Sequence, residues 1–310
     1  MDIIDQDKQE FEEQCPNSLY FPMIFPAQKR IIAIGDLHGD YALTINIFKE
    51  LELIDSNNNW IGKDVYVVQM GDQLDGTRNK HEHINKNNIE NTAEDIKVFN
   101  FMTKLAYQAR QSNSNSNVIS LYGNHELMNV LGDFRYVSGH DKFDTRQLKF
   151  KPGGSYAKKL ACDRLPIIII GSYLFVHGGL TAESNIHSIQ DLIELNSLLR
   201  KWLLGLVNED NIVNIINDEH SLFWNRLLGK LPPNIDSIND GKCHEYLDHL
   251  KLLKVNNIII GHTPQMDGIN STCDDHIWRI DTGMSKAFGD RDAAQVLEIL
   301  NDNIINIIEI

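Results

Sequence analysis

Five short segments of the chain carry residues that can bind a metal ion or transfer a proton. Each segment follows an apolar run and places glycine beside an acidic, amide or imidazole side chain. A single Gly-Asp turn, or a single histidine after a strand, is ordinary. Their joint occurrence predicts one site with mixed nitrogen and oxygen ligands, a set that suits manganese, iron or zinc. The residues are Asp36 and His38, Asp72, Asn124 and His125, His177, and His262.

The spacing of these residues indicates a site for two metal ions. Asp36 and His38 are two residues apart, so on an extended or turning backbone both side chains can bind one ion. Asp72, on a neighbouring strand, can bridge that ion and a second one held about 3.5–4 Å away. Such a pair lowers the pKa of a bridging water and supports in-line attack on phosphorus. The second ion would take its other ligands from Asn124, His177 and His262.

The apolar runs predict the elements that position these segments. RIIAIGDLHGD is typical of a strand that ends in Gly-Asp, and YALTINIFKELELI has apolar residues at helical spacing. DVYVVQMGDQLDG and NVISLYGNHE repeat the strand pattern, with a helical segment between them. Strands that alternate with helices form a sheet covered by helices, with ligands just beyond the strand carboxyl ends. We therefore expect the five segments to meet at one edge.

The second half of the chain predicts further strands. LPIIIIGSYLFVHGGL reads as a hairpin, and NNIIIGHTP as a strand with a polar exit. Three closing strands are expected in HIWRIDTG, AAQVLEILND and NIINIIEI. A two-layered β sandwich covered by helices fits this pattern better than one parallel sheet. We expect residues 1–29 to form an arm on a single domain of residues 30–310, and the polar loop 77–91 to lie near the strand exits.

The composition limits the class of protein. With 310 residues, 42% of them hydrophobic, the chain can bury a sizeable core. Its formal net charge of -14 argues against nucleic acid or an anionic membrane as the main partner, because both require a basic surface. The acidic amino terminus has no signal-peptide pattern, and no apolar run approaches the roughly 20 residues of a membrane span. We therefore expect a cytoplasmic protein.

Two groups of residues are expected to be structural. Cys15, Cys162, Cys243 and Cys273 show no CxxC pair, and four cysteines in a chain of this length do not indicate a disulfide scaffold. We expect all four to be reduced. The polar cluster between 244 and 249 is expected to form the solvent face of a helix. Its members are His244, Glu245, Asp248 and His249.

Five ordered blocks resemble the signature of a known family. GDLHGD, GDQLDG, GNHE, HGGL and GHTP occur in the order and with the separations of the calcineurin-like metallophosphoesterases. GNHE, together with a GHTP block that lacks a second histidine, resembles the phosphoprotein phosphatase branch. The segments GNHELMNVLGDFRYV, LFVHGGL, FWNR, GHTPQ and IDTGMS are similar to the Shewanella-like protein phosphatases, a bacterial-type group. The likeness covers about residues 30–291 and implies a four-layered α/β/β/α sandwich, two mixed β-sheets flanked by helices.

The resemblance also implies a role for each candidate residue. His125 would be the general acid that protonates the leaving alkoxide, and Asp75 would orient its imidazole. A carboxylate that accepts from one ring nitrogen favours the protonated ring and leaves the other nitrogen facing the substrate. The first metal ion would bind Asp36, His38 and Asp72, and the second Asp72, Asn124, His177 and His262.

The phosphate-binding arginines depart from the family pattern. Relatives usually carry GDxxDRG, but residue 76 is glycine here. Arg78 could act from two residues later, or be a solvated loop residue. Arg226 in FWNR matches the second phosphate-binding arginine of the family. Arg135 in GDFRY belongs to the Shewanella-like pattern, and its planar guanidinium suits a phosphate, a carboxylate or an internal salt bridge.

Together these features predict a metal-dependent phosphomonoester hydrolase. The expected substrate is a phosphoprotein or phosphopeptide that carries phosphoserine or phosphothreonine, and phosphotyrosine is also compatible with the family. Two alternatives stay open: a small-molecule phosphoesterase such as a diadenosine tetraphosphatase, and a non-catalytic binding module on the same fold. The sequence carries no signal for a particular oligomeric state.

Overall fold

Two six-stranded mixed sheets form the centre of the protein. The computed structural model describes residues 3–77, 94–138, 143–208, 212–236, 240–289 and 293–310. Helices flank both sheets, so the predicted α/β sandwich is confirmed. Arg78 and the rest of the polar loop after Thr77 lie outside the described residues.

The first sheet contains the predicted hairpin. Its β6 and β7 pair antiparallel, with Ile170 opposite Tyr173. Its β7, β8 and β10 run parallel to one another. With strands numbered along the chain, the spatial order is β1 (Ile24–Phe25), β6 (Ile167–Ile170), β7 (Tyr173–Val176), β8 (Asn257–Ile260), β10 (Ile277–Arg279) and β9 (Asn270–Thr272).

The second sheet contains the first three strands predicted to end in polar residues. Its β2, β3 and β4 are parallel, and β11 is antiparallel to both β2 and β12. The three closing strands are confirmed as β10, β11 and β12. The spatial order is β12 (Ile304–Glu309), β11 (Gln295–Leu300), β2 (Arg30–Ile34), β3 (Tyr66–Gln69), β4 (Asn117–Leu121) and β5 (Arg164–Leu165).

Nine α-helices occur in the described ranges. None of them is long and apolar enough to cross a membrane. They are α1 (Ile3–Gln14), α2 (Tyr41–Glu50), α3 (Asp95–Gln111), α4 (Asn124–Val130), α5 (Phe143–Phe150), α6 (Ser155–Asp163), α7 (Ile189–Leu203), α8 (Ile212–Asn217) and α9 (Gly241–Leu252).

Side chains of the second sheet alternate between two apolar layers, as expected for strands buried on both faces. Ile31 belongs to the same apolar cluster as Ile168 of the first sheet. Its neighbour Ile32 belongs instead to a cluster with Phe48 of α2 and Met102 of α3. The first cluster fills the space between the sheets, and the second fixes α2 and α3 on the outer face.

The segment before residue 30 contributes two regular elements. Helix α1 packs against α7, and β1 pairs parallel with β6 at the edge of the first sheet. Phe11 of α1 is buried in the core. Buried Arg200 of α7 donates a hydrogen bond to the Asp7 carboxylate at 2.9 Å. These contacts hold the segment against the sandwich.

The prediction of four reduced cysteines is wrong in this structure. Cys15 is bonded to Cys162, with their Cα atoms 5.7 Å apart, and Cys243 to Cys273, with Cα atoms 5.5 Å apart. The paired cysteines are 147 and 30 residues apart in sequence, so neither pair forms a short-spaced motif that would predict a disulfide. The polar-face prediction for α9 also fails at His249, which is buried.

Candidate metal centre

Parallel strands bring the five predicted segments together. Strands β2, β3 and β4 end at one edge of the second sheet, and β7 and β8 end beside them. Ligand atoms of His38, Asp72 and His125 lie within 4.8 Å of one another, and so do those of Asp72, His177 and His262. Asp72 belongs to both groups, which is the position predicted for a bridging ligand.

Asp36 and Asn124 complete the cluster. The Asp36 carboxylate accepts a hydrogen bond from the His262 backbone N–H at 3.2 Å and lies 3.8 Å from His38 Nε2. Asn124 Oδ1 lies 3.0 Å from His177 Nε2. The structure thus places all six side chains that were predicted to bind metal in one buried cluster.

Several of these residues have left-handed backbone conformations. His38, Asp72 and His262 have φ values of 41°, 51° and 65°, and Asp75 has 64°. A residue with a side chain pays roughly 1–2 kcal/mol for this conformation. Each of them lies just after a strand, where the turn directs the side chain over the end of the sheet.

Two glycines allow the segments to approach closely. A Cβ on Gly123 would overlap Asp72 Oδ1 and the His177 ring, and a Cβ on Gly261 would overlap the Asp36 carboxylate. Only glycine therefore fits at these two positions, directly before Asn124 and directly before His262.

Two imidazoles are oriented by backbone carbonyl groups. His177 Nδ1 lies 2.8 Å from the Met70 carbonyl oxygen, and His38 Nδ1 lies 3.2 Å from that of Leu74. An N–H at Nδ1 that donates to a carbonyl leaves the Nε2 lone pair for a metal ion. Nε2 of His177 lies 3.3 Å from Asp72 Oδ2, and Nε2 of His38 lies 3.8 Å from it. Both lone pairs therefore face the shared carboxylate.

The cluster fits a metal ion better than a closed hydrogen-bond network. His262 Nε2 is buried and has no hydrogen-bond partner within the described ranges. A buried ring nitrogen without a partner costs free energy, and a metal ion would satisfy it. The donor set of carboxylate, amide and imidazole groups suits manganese, iron or zinc.

The electrostatics of the cluster favour an ionised Asp72 carboxylate and a neutral His262 ring, whereas the Asp72 charge raises the pKa of His177 against the effect of burial. Burial would raise the pKa of Asp72, but the rings of His177, His125 and His38 hold it well below its usual value. Burial lowers the pKa of His262 well below its usual value, and the charges of His177 and Arg226 add to the effect. An anionic bridge and an unprotonated ring nitrogen are the forms that bind metal.

His125 is held by Asp75 at the edge of the cluster. His125 Nδ1 lies 2.8 Å from Asp75 Oδ2, while its Nε2 lies 3.8 Å from Asp72 Oδ2. The other oxygen of Asp75 accepts a hydrogen bond from the Asn129 amide at 2.9 Å. One ring nitrogen is therefore oriented by a buried carboxylate, and the other faces the centre.

Glu126 supports the loop that carries Asp72, and no role was predicted for it from the sequence. Its carboxylate accepts hydrogen bonds from the backbone N–H groups of Asp72, Gln73, Leu74 and Gly123 at 2.8–3.1 Å. Burial raises the pKa of Glu126 and the Asp72 carboxylate adds to that, while the N–H groups oppose it. The signal was available, because Glu126 is the last residue of the GNHE block.

Arg146 and Asp95 were missed for a different reason. Arg146 of α5 is buried and donates hydrogen bonds to Asn129 at 2.6 Å and to Asp95 at 2.7 Å. Asp95 in turn accepts a hydrogen bond from the Asp75 backbone N–H at 3.3 Å. No sequence pattern links these residues, since only the fold brings α3 and α5 to the same side of the centre.

The predicted phosphate-binding arginines have different surroundings. Arg226 is half-buried beside the cluster, and its Nη1 donates a hydrogen bond to the His262 carbonyl at 2.8 Å. Arg135 has a side chain that is 56% exposed and forms an ion pair with Asp133, with Nη2 2.6 Å from the carboxylate. Its neighbour Tyr136 packs edge-on against His125, with ring centroids 5.1 Å apart.

Residues 29–266 match the family model of the calcineurin-like phosphoesterases, and the chain belongs to that family. It is a hydrolase, a phosphatase of the metallophosphoesterase type.

Within this family, the chain is similar to protein phosphatases of the Shewanella-like group. The chain is 29% identical to Shewanella-like protein phosphatase 2 of Arabidopsis thaliana, across 92% of this chain and 78% of that protein. It is 32% identical to Shewanella-like protein phosphatase 1 of Plasmodium berghei, across 83% of this chain and 67% of that protein. The crystal structure of a cold-active protein-tyrosine phosphatase from a Shewanella species has a similar fold, with a TM-score of 0.67 and 22% identity, and the match covers 93% of this chain and 82% of that one.

Proposed function

We propose that the protein hydrolyses phosphate monoesters on phosphoserine or phosphothreonine residues of proteins. The observation that carries the proposal is the position of His125, which faces the carboxylate cluster through Nε2 and Asp75 through Nδ1. The names of the two Shewanella-like relatives support a protein substrate.

The buried cluster supplies ligands for two metal ions, with Asp72 shared. Bound there, manganese, iron or zinc would activate a water nucleophile and neutralise charge on the phosphoryl group. The ligands of the first ion would be Asp36, His38 and Asp72, and those of the second Asp72, Asn124, His177 and His262.

His125 supplies the proton for the leaving group. Its Nε2–H faces the centre, so it can protonate the serine or threonine oxygen as the bond to phosphorus breaks. Asp75 keeps Nδ1 protonated and fixes the plane of the ring, and Asn129 fixes Asp75. General acid catalysis of this kind contributes about 10²- to 10⁴-fold to the rate.

Arg226 binds the phosphoryl oxygens. Nη1 is held by the His262 carbonyl, which positions the planar guanidinium beside the cluster. Arg135 lies next to Tyr136, whose ring packs against His125, and we assign it as a further phosphate ligand. Arg78 stays a predicted phosphate ligand outside the described residues.

An activity panel tests the substrate class. Protein loaded with manganese, iron or zinc should hydrolyse phosphoserine and phosphothreonine peptides faster than diadenosine tetraphosphate. Phosphotyrosine peptides form the third arm. Preferential hydrolysis of the dinucleotide would replace the proposal with a small-molecule phosphoesterase, and activity that persists after complete metal removal would refute it.

Two variants separate metal binding from proton donation. Asp72→Asn should lose both metal and activity, because it removes charge from the shared ligand. His125→Asn should keep the metal content and lose about 10²-fold or more in kcat. Manganese should raise the Tm of wild type and of His125→Asn but not of Asp72→Asn, because only a protein that binds the ion gains stability from it. Wild-type activity in His125→Asn on a poor leaving group would refute the role of His125.

We further propose that residues 30–310 form one catalytic domain with residues 1–29 as its arm. The strands of both sheets except β1 come from that range. Cytoplasmic residence also stays a proposal, and the two disulfides count against it because cytosolic thiols are normally kept reduced. Thiol labelling of protein taken directly from its host cell tests this point.

A further inference from the structure

A cavity of about 400 Å³ lies along α3, on the part of the helix that extends away from the metal centre. Its walls are α3 from Asn100 to Arg110, the end of α6, and the part of the arm that follows α1. Asp95 at the start of α3 contacts Asp75 of the centre, whereas Arg110 is in the last turn, about 22 Å further along the helix axis. The volume is typical of small-molecule sites. The cavity is therefore separate from the centre and large enough for an organic ligand.

The cavity is basic in a chain of formal net charge -14. Lys104, Arg110 and Lys159 line it, and Asp163 is the acidic lining residue. Burial lowers the pKa of Arg110 to about 10; the Asp163 carboxylate opposes this shift and the charge of buried Arg164 adds to it. Burial and Arg164 also lower the pKa of Lys159, and Asp163 again opposes the shift. Arg164 thus destabilises the charged forms of both lining residues, and a bound anion would offset that repulsion.

Arg110 has a hydrogen-bond donor that no described residue satisfies. Its Nε donates to Asn117 Oδ1 at 3.2 Å, and its guanidinium lies 3.6 Å from the centre of the Phe21 ring. Its Nη2 is buried and has no hydrogen-bond partner in the described part of the chain. An unsatisfied buried donor is costly, and because Arg110 lines the cavity, a rotation of its guanidinium that brings Nη2 to an anionic oxygen there would satisfy it.

The arm forms a wall of the cavity, and three contacts hold it there. The Cys15–Cys162 disulfide ties the arm to α6 just before the cavity-lining Asn17. Ser18 Oγ donates to Asp163 at 3.3 Å, and Phe21 covers the Arg110 guanidinium. A wall held in this way reduces the ordering cost of binding a ligand.

We propose that this cavity binds a small phosphate-bearing molecule at a site distinct from the catalytic centre. The Arg110 guanidinium binds the phosphate group, because its planar donor fork matches phosphate oxygens, and the positive charge of Lys159, whose ammonium donates to Asn100 Oδ1 at 2.9 Å in the same cavity, adds to the attraction. Tyr107, which is 54% exposed at the rim, offers a ring face to the organic part of the ligand.

Calorimetric titration of the metal-loaded protein with phenylphosphonate tests the proposal. This probe carries a phosphate-like dianion on a carbon atom, so the enzyme cannot hydrolyse it. We expect the titration to contain one binding event, at the cavity, whose affinity is the same in wild type and in Arg226→Ala. Lys159→Gln and Arg110→Gln should each weaken this binding by about tenfold or more. Lys158→Gln is the matched control, because Lys158 is the exposed neighbour of Lys159 and does not line the cavity.

Separate measurements distinguish binding at the cavity from catalysis at the metal centre. Lys159→Gln should leave kcat on a phosphopeptide unchanged, because the Lys159 ammonium lines the cavity and donates to Asn100 rather than to a residue of the centre. Benzyl alcohol, which lacks the charged group, should not bind. Loss of all phenylphosphonate binding in Arg226→Ala, or binding that neither cavity variant changes, would overturn the proposal. Neither result would bear on hydrolysis at the metal centre, which the phosphopeptide assay measures independently.

Discussion

Glu126 fixes the backbone of the loop that carries Asp72. Two backbone N–H groups donate to each of its carboxylate oxygens: Gln73 and Leu74 to Oε1, and Asp72 and Gly123 to Oε2. The loop holds Asp72 in a left-handed conformation with φ 51°. One side chain thus sets the position of the shared carboxylate without entering the centre.

Glu126→Gln should impair both stability and catalysis. The amide replaces one acceptor oxygen by an NH₂ group, so two buried N–H donors lose their partner at a cost of about 1–3 kcal/mol each. We expect a lower free energy of unfolding in urea and a lower kcat, because Asp72 is no longer held in place. Glu13→Gln, at an exposed position of α1, is the control. A variant with unchanged kcat would show that the loop holds Asp72 without Glu126.

The two disulfides join elements that are distant in sequence, and they should contribute unequally to stability. In the chain-entropy model, a disulfide that closes a loop of 147 residues raises the free energy of unfolding by roughly 5 kcal/mol, and one that closes a loop of 30 residues raises it by roughly 3.5 kcal/mol. The double variant Cys15→Ser and Cys162→Ser should therefore lose more stability than Cys243→Ser with Cys273→Ser. Urea unfolding without reductant measures both. Four titratable thiols in the denatured, unreduced wild type would show that neither bond forms.

The elements around the centre could be predicted because their signals are local. Each β-branched run that ended in Gly-Asp or Gly-Asn-His became a strand, and parallel pairing brought its polar exit to a common edge. Helix α1 was missed because its residues are mostly polar. The Arg146 to Asp95 contact and both disulfides depend on how distant helices pack, which no local pattern encodes. The residues of the centre could thus be predicted from the sequence, whereas most of the contacts that hold them in place could not.

The acid stability of the whole fold depends on opposing charge effects. The chain carries a formal net charge of -14, so protonation of surface carboxylates relieves repulsion as the pH falls. Buried His249 acts in the other direction. Burial lowers its pKa, and the nearby His187 lowers it further, while Glu183 opposes the shift. The rings of His249 and His187 lie 5.7 Å apart.

His249→Gln should reduce acid destabilisation. A folded-state pKa below the ordinary 6.5 means that the unfolded chain binds more protons, so stability is lost as the pH falls below about 6.5. The free energy of unfolding of wild type should therefore fall more than that of the variant between pH 7.5 and pH 5.5. Chemical denaturation at both pH values gives this difference. An equal fall in both proteins would exclude His249 as the cause.

The left-handed turns at the centre have a consequence for attempts to make this protein heat-resistant. Glycine adopts the φ values of His38, Asp72, Asp75 and His262 without strain, and it would also remove crowded, buried polar groups. A screen of the metal-free protein that selects for thermal survival alone would therefore enrich glycine at His38 and His262, whereas glycine at Asp72 or Asp75 would leave buried donors without an acceptor. The variants selected in this way would be inactive, because these strained positions are the ones to which we assign the chemistry.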